Sequence, residues 1–189
     1  DFCLSRGLGD VYKRQVMGMF FGYELEFSYL ATKRLIRELK KISPDIIHLH
    51  NTHGWYLNHK IFFDYVNKNN IRLLWTLHDC WSFTGRCPHF QITGCDKWKT
   101  GCGGCVYDSK LYPASYWADR TKRNYNKKKR LFTSVKRLTF VTPSGWLSDL
   151  VKRSFLKGYD VKVINNGINL SVFKPCLLYT SPSPRDRQK

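Results

Sequence analysis

The sequence predicts an α/β fold built on a parallel β-sheet with helices on both faces. Short apolar runs rich in β-branched residues alternate with longer segments of helical periodicity, and the segments between the runs are long enough for crossover helices. Polar residues follow the end of every predicted strand. Because open parallel sheets bind ligands beyond the carboxyl ends of their strands, this pattern also predicts a functional edge.

The predicted elements alternate along the chain. They are, in order, helix 27–41, strand 45–50, helix 55–67, strand 71–77, a basic helix-like stretch 121–135, strand 138–141, helix 146–155 and strand 161–164. The first helix is amphipathic because Leu35, Ile36 and Leu39 share one face, and Pro44 ends it. Ser144 is placed to cap the last helix.

Both ends of the sequence are interpreted as non-native. With a permitted codon choice for Ser5–Gln15, the reverse complement, read one base later, encodes Cys176–Arg185. This relation resembles read-through of a transposase-type sequencing adapter, so residues 1–15 and 176–189 are excluded from the fold prediction. The remaining part, 16–175, is about 160 residues, the size of one domain, and we expect the natural protein to be longer.

The remaining part is strongly basic. The chain holds 32 Lys and Arg against 14 Asp and Glu, and without the two flanks the balance is 26 against 11, a net charge of +15. This charge favours an anionic partner, such as nucleic acid, an anionic membrane or a phosphorylated ligand, or it marks the solvated surface of a basic protein. No apolar run is long enough to predict a transmembrane span.

The segment 79–113 breaks the alternation and is rich in Gly, Cys and aromatic residues. Four of its cysteines have the spacing C-x7-C-x6-C-x2-C: Cys87, Cys95, Cys102 and Cys105. This set suits a tetrahedral structural zinc ion, which would order a loop with little core of its own. Disulfides and plain buried thiols are the alternatives, and Cys80 is a further thiol nearby. The odd number of cysteines outside the flanks argues against a secreted disulfide framework.

Five strings resemble a known family. They are PDIIHLHNTHGWYLN (44–58), WTLHDCWSFTGRCPHF (75–90), GCDKWKTGCGGC (94–105), FVTPSGWLSDLVKRSFL (140–156) and VKVINNGINLSVFKP (161–175). In this order they are similar to the N-terminal part of family 4 (group 1) glycosyltransferases of the GT-B type. The subgroup resembled is the colanic-acid type, which builds surface and capsular polysaccharides.

The resemblance implies two Rossmann-like domains around a cleft. Residues 16–165 would form part of the N-terminal, acceptor-side domain, and 166–175 would form the hinge. The implied reaction is a retaining transfer of a hexosyl unit from a nucleotide-sugar to a lipid-linked oligosaccharide, with no catalytic metal and no nucleic-acid partner. The family's opening Gly-rich turn and donor domain have no counterpart here, so we expect this fragment to be inactive. The implied location is cytoplasmic, or peripheral on the inner membrane.

The resemblance also assigns candidate catalytic residues. The family's Thr-x-His-Asp turn matches His78 and Asp79, and the family's His contacts the transferred sugar. A neutral imidazole both donates and accepts hydrogen bonds, which suits a sugar hydroxyl. The alternatives are that His78 only caps a strand end, and that Asp79 either orients the His78 ring or caps the following loop.

The candidate acceptor-binding residues follow the first and third strands: His50, His53, Gly54 and Ser144. One of the two histidines at least is expected to be structural, and Gly54 lets the backbone turn sharply. Ser144 is expected to cap its helix rather than to bind a sugar. The start of that helix offers free backbone N–H groups that suit a phosphate. Asn166 and Gly167 resemble the family's hinge signature.

A second class of function stays open at this point. A zinc-stapled basic domain that binds nucleic acid would also explain the charge and the cysteines, but it explains neither the alternation of strands and helices nor the polar strand ends. The basic stretch 116–137 offers two interpretations of its own: contact with an anionic membrane, or a solvated helix face.

Overall fold

The computed structural model describes residue 16 and residues 18–173. The two predicted non-native flanks, 1–15 and 176–189, lie outside the described residues, as do the last two residues of the predicted hinge. Within the described part, no helix is long and apolar enough to cross a bilayer.

The chain forms an α/β structure, as predicted. Its elements are α1 (Tyr29–Ile42), β1 (Ile46–Leu49), α2 (His59–Lys68), β2 (Arg72–Thr76), α3 (Thr121–Phe132), β3 (Leu138–Thr142), α4 (Gly145–Arg153) and β4 (Asp160–Val163). The four strands are all parallel and lie in the order β1-β2-β3-β4. Each strand therefore ends at the same edge of the sheet.

The boundaries differ from the prediction mainly at α2. The helix begins at His59 because Asn58 caps it: the Asn58 side chain accepts a hydrogen bond from the Ile61 N–H at 3.2 Å. Residues 55–58, predicted as helical, are irregular. A bend lies at their start, where Gly54 has a φ of 109° and Trp55 a φ of 62°, and neither value is compatible with a right-handed helix.

The core covers one face of the sheet. Leu73, Trp75 and Phe140 are fully buried on this face. The Trp75 ring packs edge-on against Phe132 of α3, with ring centroids 5.0 Å apart, and Phe63 of α2 lies 6.0 Å from the same ring. Helices α2 and α3 thus close the core from the same side.

The opposite face is more open than predicted. Ile46, His48 and Arg72, at alternate positions, are exposed. The strand order explains this, because right-handed crossovers between strands that advance in one direction place their helices on one face. Helical cover, expected on both faces, is therefore seen on one face of the described sheet.

The cysteine-rich loop has a core of its own, contrary to expectation. It contains three short 3₁₀ turns, Trp81–Phe83, Phe90–Thr93 and Lys97–Lys99. Phe83, Phe90 and Trp98 are buried together, with centroid distances from Trp98 of 5.4 Å to Phe83 and 4.9 Å to Phe90. Aromatic packing of this kind helps to order the loop.

Helix α3 has a solvated basic face, but one of its lysines is buried. Lys128, inside the run Lys127–Arg130, is fully buried. Its ammonium lies 2.7 Å from a carboxylate oxygen of Glu24, donates to the Trp81 carbonyl at 2.9 Å and sits over the Trp81 ring. The helix therefore packs one lysine into the core, while Lys122 and Lys129 remain exposed.

Candidate functional site

The predicted site residues follow neighbouring strands at one edge of the sheet. His50 comes directly after β1, His78 after β2, Ser144 after β3 and Asn166 after β4. Because the strands are parallel and adjacent in this order, the four residues emerge in sequence along that edge. Direct side-chain contacts join only the residues of β1 and β2.

His50 and His78 form a hydrogen-bonded pair. His50 Nδ1 lies 3.1 Å from His78 Nε2, and the two rings stack with centroids 5.4 Å apart. One nitrogen of this pair must carry the hydrogen and the other must accept it, so at most one proton is shared between them. The outer nitrogens of both rings remain for a ligand at the exposed edge.

His48 joins this pair, although sequence reasoning did not select it. Its ring centroid is 4.4 Å from that of His50, and its Nε2 lies 2.8 Å from Thr76 Oγ1. Burial, together with the neighbouring His50, lowers the pKa of His48. The sequence does indicate this contact, because His48 and His50 are two residues apart in the predicted strand and therefore point to the same face.

A second cluster joins Asp79, His53 and Tyr112. His53 Nε2 lies 3.0 Å from Asp79 Oδ2, and His53 Nδ1 lies 2.9 Å from the Tyr112 hydroxyl. Burial raises the pKa of Tyr112 to about 12, so the phenol keeps its proton and donates to Nδ1. His53 then donates from Nε2 to the carboxylate, a tautomer inferred from the hydrogen-bond pattern.

Asp79 is held as a carboxylate. Burial by itself would raise the pKa of Asp79, but hydrogen bonds from His53 and from the Trp81 N–H outweigh burial and lower it. Asp79 therefore orients His53 and caps the following turn. The structure shows no contact between Asp79 and the His78 ring.

Tyr112 was missed because its partner is distant in the chain. It lies 59 positions from His53, at the end of the cysteine-rich loop, and no local pattern indicates the contact. Space does not require a glycine at position 54, since a Cβ there would meet the Tyr112 hydroxyl at an ordinary contact distance of 3.5 Å. The sharp turn predicted at Gly54 is confirmed by its positive φ. We call His48, His50, His53, His78, Asp79 and Tyr112 the polar edge.

Ser144, Asn166 and Gly167 stand apart from the polar edge. Ser144 caps α4, accepting a hydrogen bond from the Leu147 N–H at 3.3 Å. Asn166 and Gly167 are exposed after β4. The capping role of Ser144 is confirmed, whereas its contact with substrate and the hinge role of the other two stay predictions.

The four predicted zinc ligands are unpaired thiols in the structure. Cys87, Cys95, Cys102 and Cys105 are all free, and among the described residues no three His, Cys, Asp or Glu side chains are arranged to hold a metal ion. Burial raises the pKa of Cys87 to about 12 and that of Cys102 to about 11. The structural zinc site at these four cysteines stays a prediction.

The polar edge is suited to holding a polyhydroxylated ligand. It presents imidazole, carboxylate and phenol groups in two hydrogen-bonded clusters. A narrow recess lies beside it, lined by Asn51, Thr52, His53, His78, Asp79 and Ser82, among others. Groups that both donate and accept hydrogen bonds match the hydroxyls of a sugar.

Comparisons with known proteins agree with this geometry. The family model described as "Glycosyltransferase Family 4" matches residues 4–172. The chain is 32% identical over 152 residues to the protein named "Putative colanic acid biosynthesis glycosyl transferase WcaC" of Escherichia coli (strain K12). This alignment covers 77% of the chain and 36% of the relative's length. No solved structure matches the chain.

Proposed function

Because the chain belongs to Glycosyltransferase Family 4, we propose that the protein transfers a hexosyl unit from a nucleotide-sugar to a glycan in surface polysaccharide biosynthesis. The observation that carries this proposal is the His50–His78 pair, stacked at the carboxyl edge of the parallel sheet. The chain spans 36% of the relative it matches, so the activity of the whole protein is part of the proposal.

His78 is the residue proposed to contact the transferred sugar. It follows β2, near the middle of the sheet, and His50 holds its ring from one side. With one nitrogen of His78 engaged by His50, the other faces the ligand and exchanges a hydrogen bond with a sugar hydroxyl. His50 acts here as a positioning residue, since it sets which nitrogen of His78 carries the hydrogen.

The stereochemistry, the acceptor and the location of the proposed reaction follow from the resemblance to family 4 glycosyltransferases. The transfer would retain the anomeric configuration without a catalytic metal. The acceptor would be a lipid-linked oligosaccharide on the cytoplasmic side of the inner membrane. The net charge of +15 on residues 16–175 supports a protein that works beside anionic lipid or anionic ligands.

A transfer assay with the complete gene product tests the proposal. Each of several nucleotide-sugars is offered with a lipid-linked acceptor extracted from the host membrane. We expect transfer from one of them, reduced roughly 100-fold in His78→Ala, because removal of one preorganised hydrogen-bonding group at a reaction centre typically costs this much. Lys68→Ala, which removes an exposed side chain at the end of α2 and outside the polar edge, is the control.

Two outcomes would count against the proposal. Equal transfer by wild type and His78→Ala would show that the polar edge takes no part in the reaction. No transfer from any nucleotide-sugar, combined with tight and strongly salt-dependent binding of nucleic acid, would support the rival function instead.

A further inference from the structure

A second cavity lies at the cysteine-rich loop. Its volume is about 210 Å³, and its walls come from that loop, from the start of α3 and from the turn at Gly22. The lining includes Arg86, Tyr116, Trp117, Asp119, Arg120 and Asn124. None of the polar-edge residues lines it, and we call it the aromatic cavity.

Two buried polar atoms in the lining lack partners. Arg86 donates through both terminal nitrogens to backbone carbonyls, at 2.6 Å to Tyr107 and 3.2 Å to Pro113, yet its Nε has no partner. Asn124 donates from Nδ2 to the Gly22 carbonyl at 2.7 Å, yet its Oδ1 has none. Both residues are more than nine-tenths buried. A buried donor and a buried acceptor left unpaired are costly, and both residues line this cavity.

The mouth of the cavity is aromatic. Trp117 is 76% exposed and Tyr116 is 49% exposed. The Trp117 ring is held edge-on by Phe20, with centroids 5.5 Å apart. A large aromatic residue that is fixed in place yet open to solvent marks an interaction surface.

The charged groups at the cavity already make some hydrogen bonds within the protein. The Asp119 carboxylate accepts hydrogen bonds from the N–H groups of Thr121 and Cys105. Arg120 donates from Nε to the Phe21 carbonyl, and its terminal nitrogens remain for a ligand. The lining therefore offers donors on Arg86 and Arg120 and an acceptor on Asn124.

We propose that the aromatic cavity is a binding subsite for one pyranose unit of a glycan. The apolar C–H face of a pyranose stacks on an exposed indole. Its vicinal hydroxyls, each a donor and an acceptor, satisfy the orphaned atoms of Arg86 and Asn124.

The aromatic cavity is linked to the polar edge. Tyr107, which lines the cavity, donates its hydroxyl hydrogen to the Tyr112 carbonyl at 3.3 Å, and the Tyr112 hydroxyl contacts His53. A glycan with its reacting end at the polar edge extends across the Tyr112 turn into this cavity. This assignment of the ligand as the acceptor rests on the proposed function, whereas binding of a pyranose does not.

Saturation-transfer NMR on this chain tests the subsite. The probes are the methyl glycosides of glucose, galactose and glucuronic acid, titrated separately. We expect saturable binding of at least one of them, with a dissociation constant at least about tenfold higher in Trp117→Ala, equivalent to about 1.4 kcal/mol. Trp146→Ala is the matched control, since Trp146 is also exposed but does not line the cavity.

Trp117→Ala removes only an exposed side chain, so the variant should fold, and circular dichroism checks this. The subsite is refuted if no glycoside binds, or if Trp117→Ala binds as tightly as wild type. Trp117-dependent binding to phosphatidylserine vesicles without any glycoside binding would make the surface a membrane contact instead.

The subsite and the proposed function fail separately. Transfer that depends on His78, in a protein that binds no glycoside at Trp117, would leave the reaction standing without this subsite. Glycoside binding that is lost in Trp117→Ala, in a complete gene product that transfers nothing, would leave the subsite standing alone.

Discussion

The titration of His59 gives a quantitative test of the core. His59, the first residue of α2, is fully buried among the rings of Phe63, Trp81 and Phe132. Burial, and after it the positive charge of Lys128, lowers the pKa of His59 from 6.5 to about 3. The folded protein therefore holds this imidazole neutral at every pH above about 4.

The sign of the effect follows from the direction of the shift. An unfolded chain protonates His59 near pH 6.5, whereas the folded chain does not until about pH 3. The unfolded state thus binds the extra proton as the pH falls between these values, so stability is lost on acidification. One pKa unit corresponds to about 1.4 kcal/mol, so acidification from pH 7 to pH 5 costs about 2 kcal/mol through this group.

Urea unfolding at pH 7 and pH 5 measures this cost. The perturbation is His59→Gln, which keeps a polar side chain but removes the titration. We expect the wild-type free energy of unfolding to fall by about 2 kcal/mol more than that of the variant over this interval. All other titrating groups are common to both proteins and cancel in the difference. An equal fall in both proteins would show that His59 is not held neutral, and would refute its placement in the core.

Three further predictions concern individual contacts. Lys128→Met leaves the Glu24 carboxylate buried without its cation and should lower the free energy of unfolding by about 3–5 kcal/mol; adding Glu24→Gln should recover part of this loss in urea unfolding, and no recovery would contradict the pairing. Ser144→Ala removes the cap of α4 and should cost about 1 kcal/mol by the same measurement, whereas an unchanged stability would contradict the cap. Metal analysis of purified protein, with Cys102→Ser as the control, tests the cysteine site: one zinc per chain that is lost in the variant would establish it, whereas zinc near zero in both proteins would exclude it.

Much of the fold could be predicted from the sequence. The strand 71–77 is a mostly apolar run, and the helix after Ser144 keeps Leu147, Leu150 and Val151 at helical spacing. These signals are local, because periodicity depends only on neighbouring residues. The four strands were all located, and the largest boundary error occurred where the turn at Gly54 shortened α2.

The site could be predicted only in part. The sequence could predict four of its residues, His50, His53, His78 and Asp79. Each of them follows a strand, and the strand ends of a parallel sheet meet at one edge. The sequence could not predict which of these side chains form hydrogen bonds with each other. Asp79 pairs with His53, whereas the sequence suggested His78 as its partner. Tyr112 carries no local signal, since it reaches the polar edge from the far end of an irregular loop.

The sequence by itself determined the α/β alternation and the edge at which the polar residues emerge, because both follow from the spacing of apolar residues along the chain. Only the tertiary structure decided which polar groups are buried and with what partners. Lys128 shows the difference. A run of four basic residues predicts solvation, yet the fold places one of them against Glu24 and the Trp81 ring. Burial of a charge depends on groups that are distant in the chain, and no local pattern encodes them.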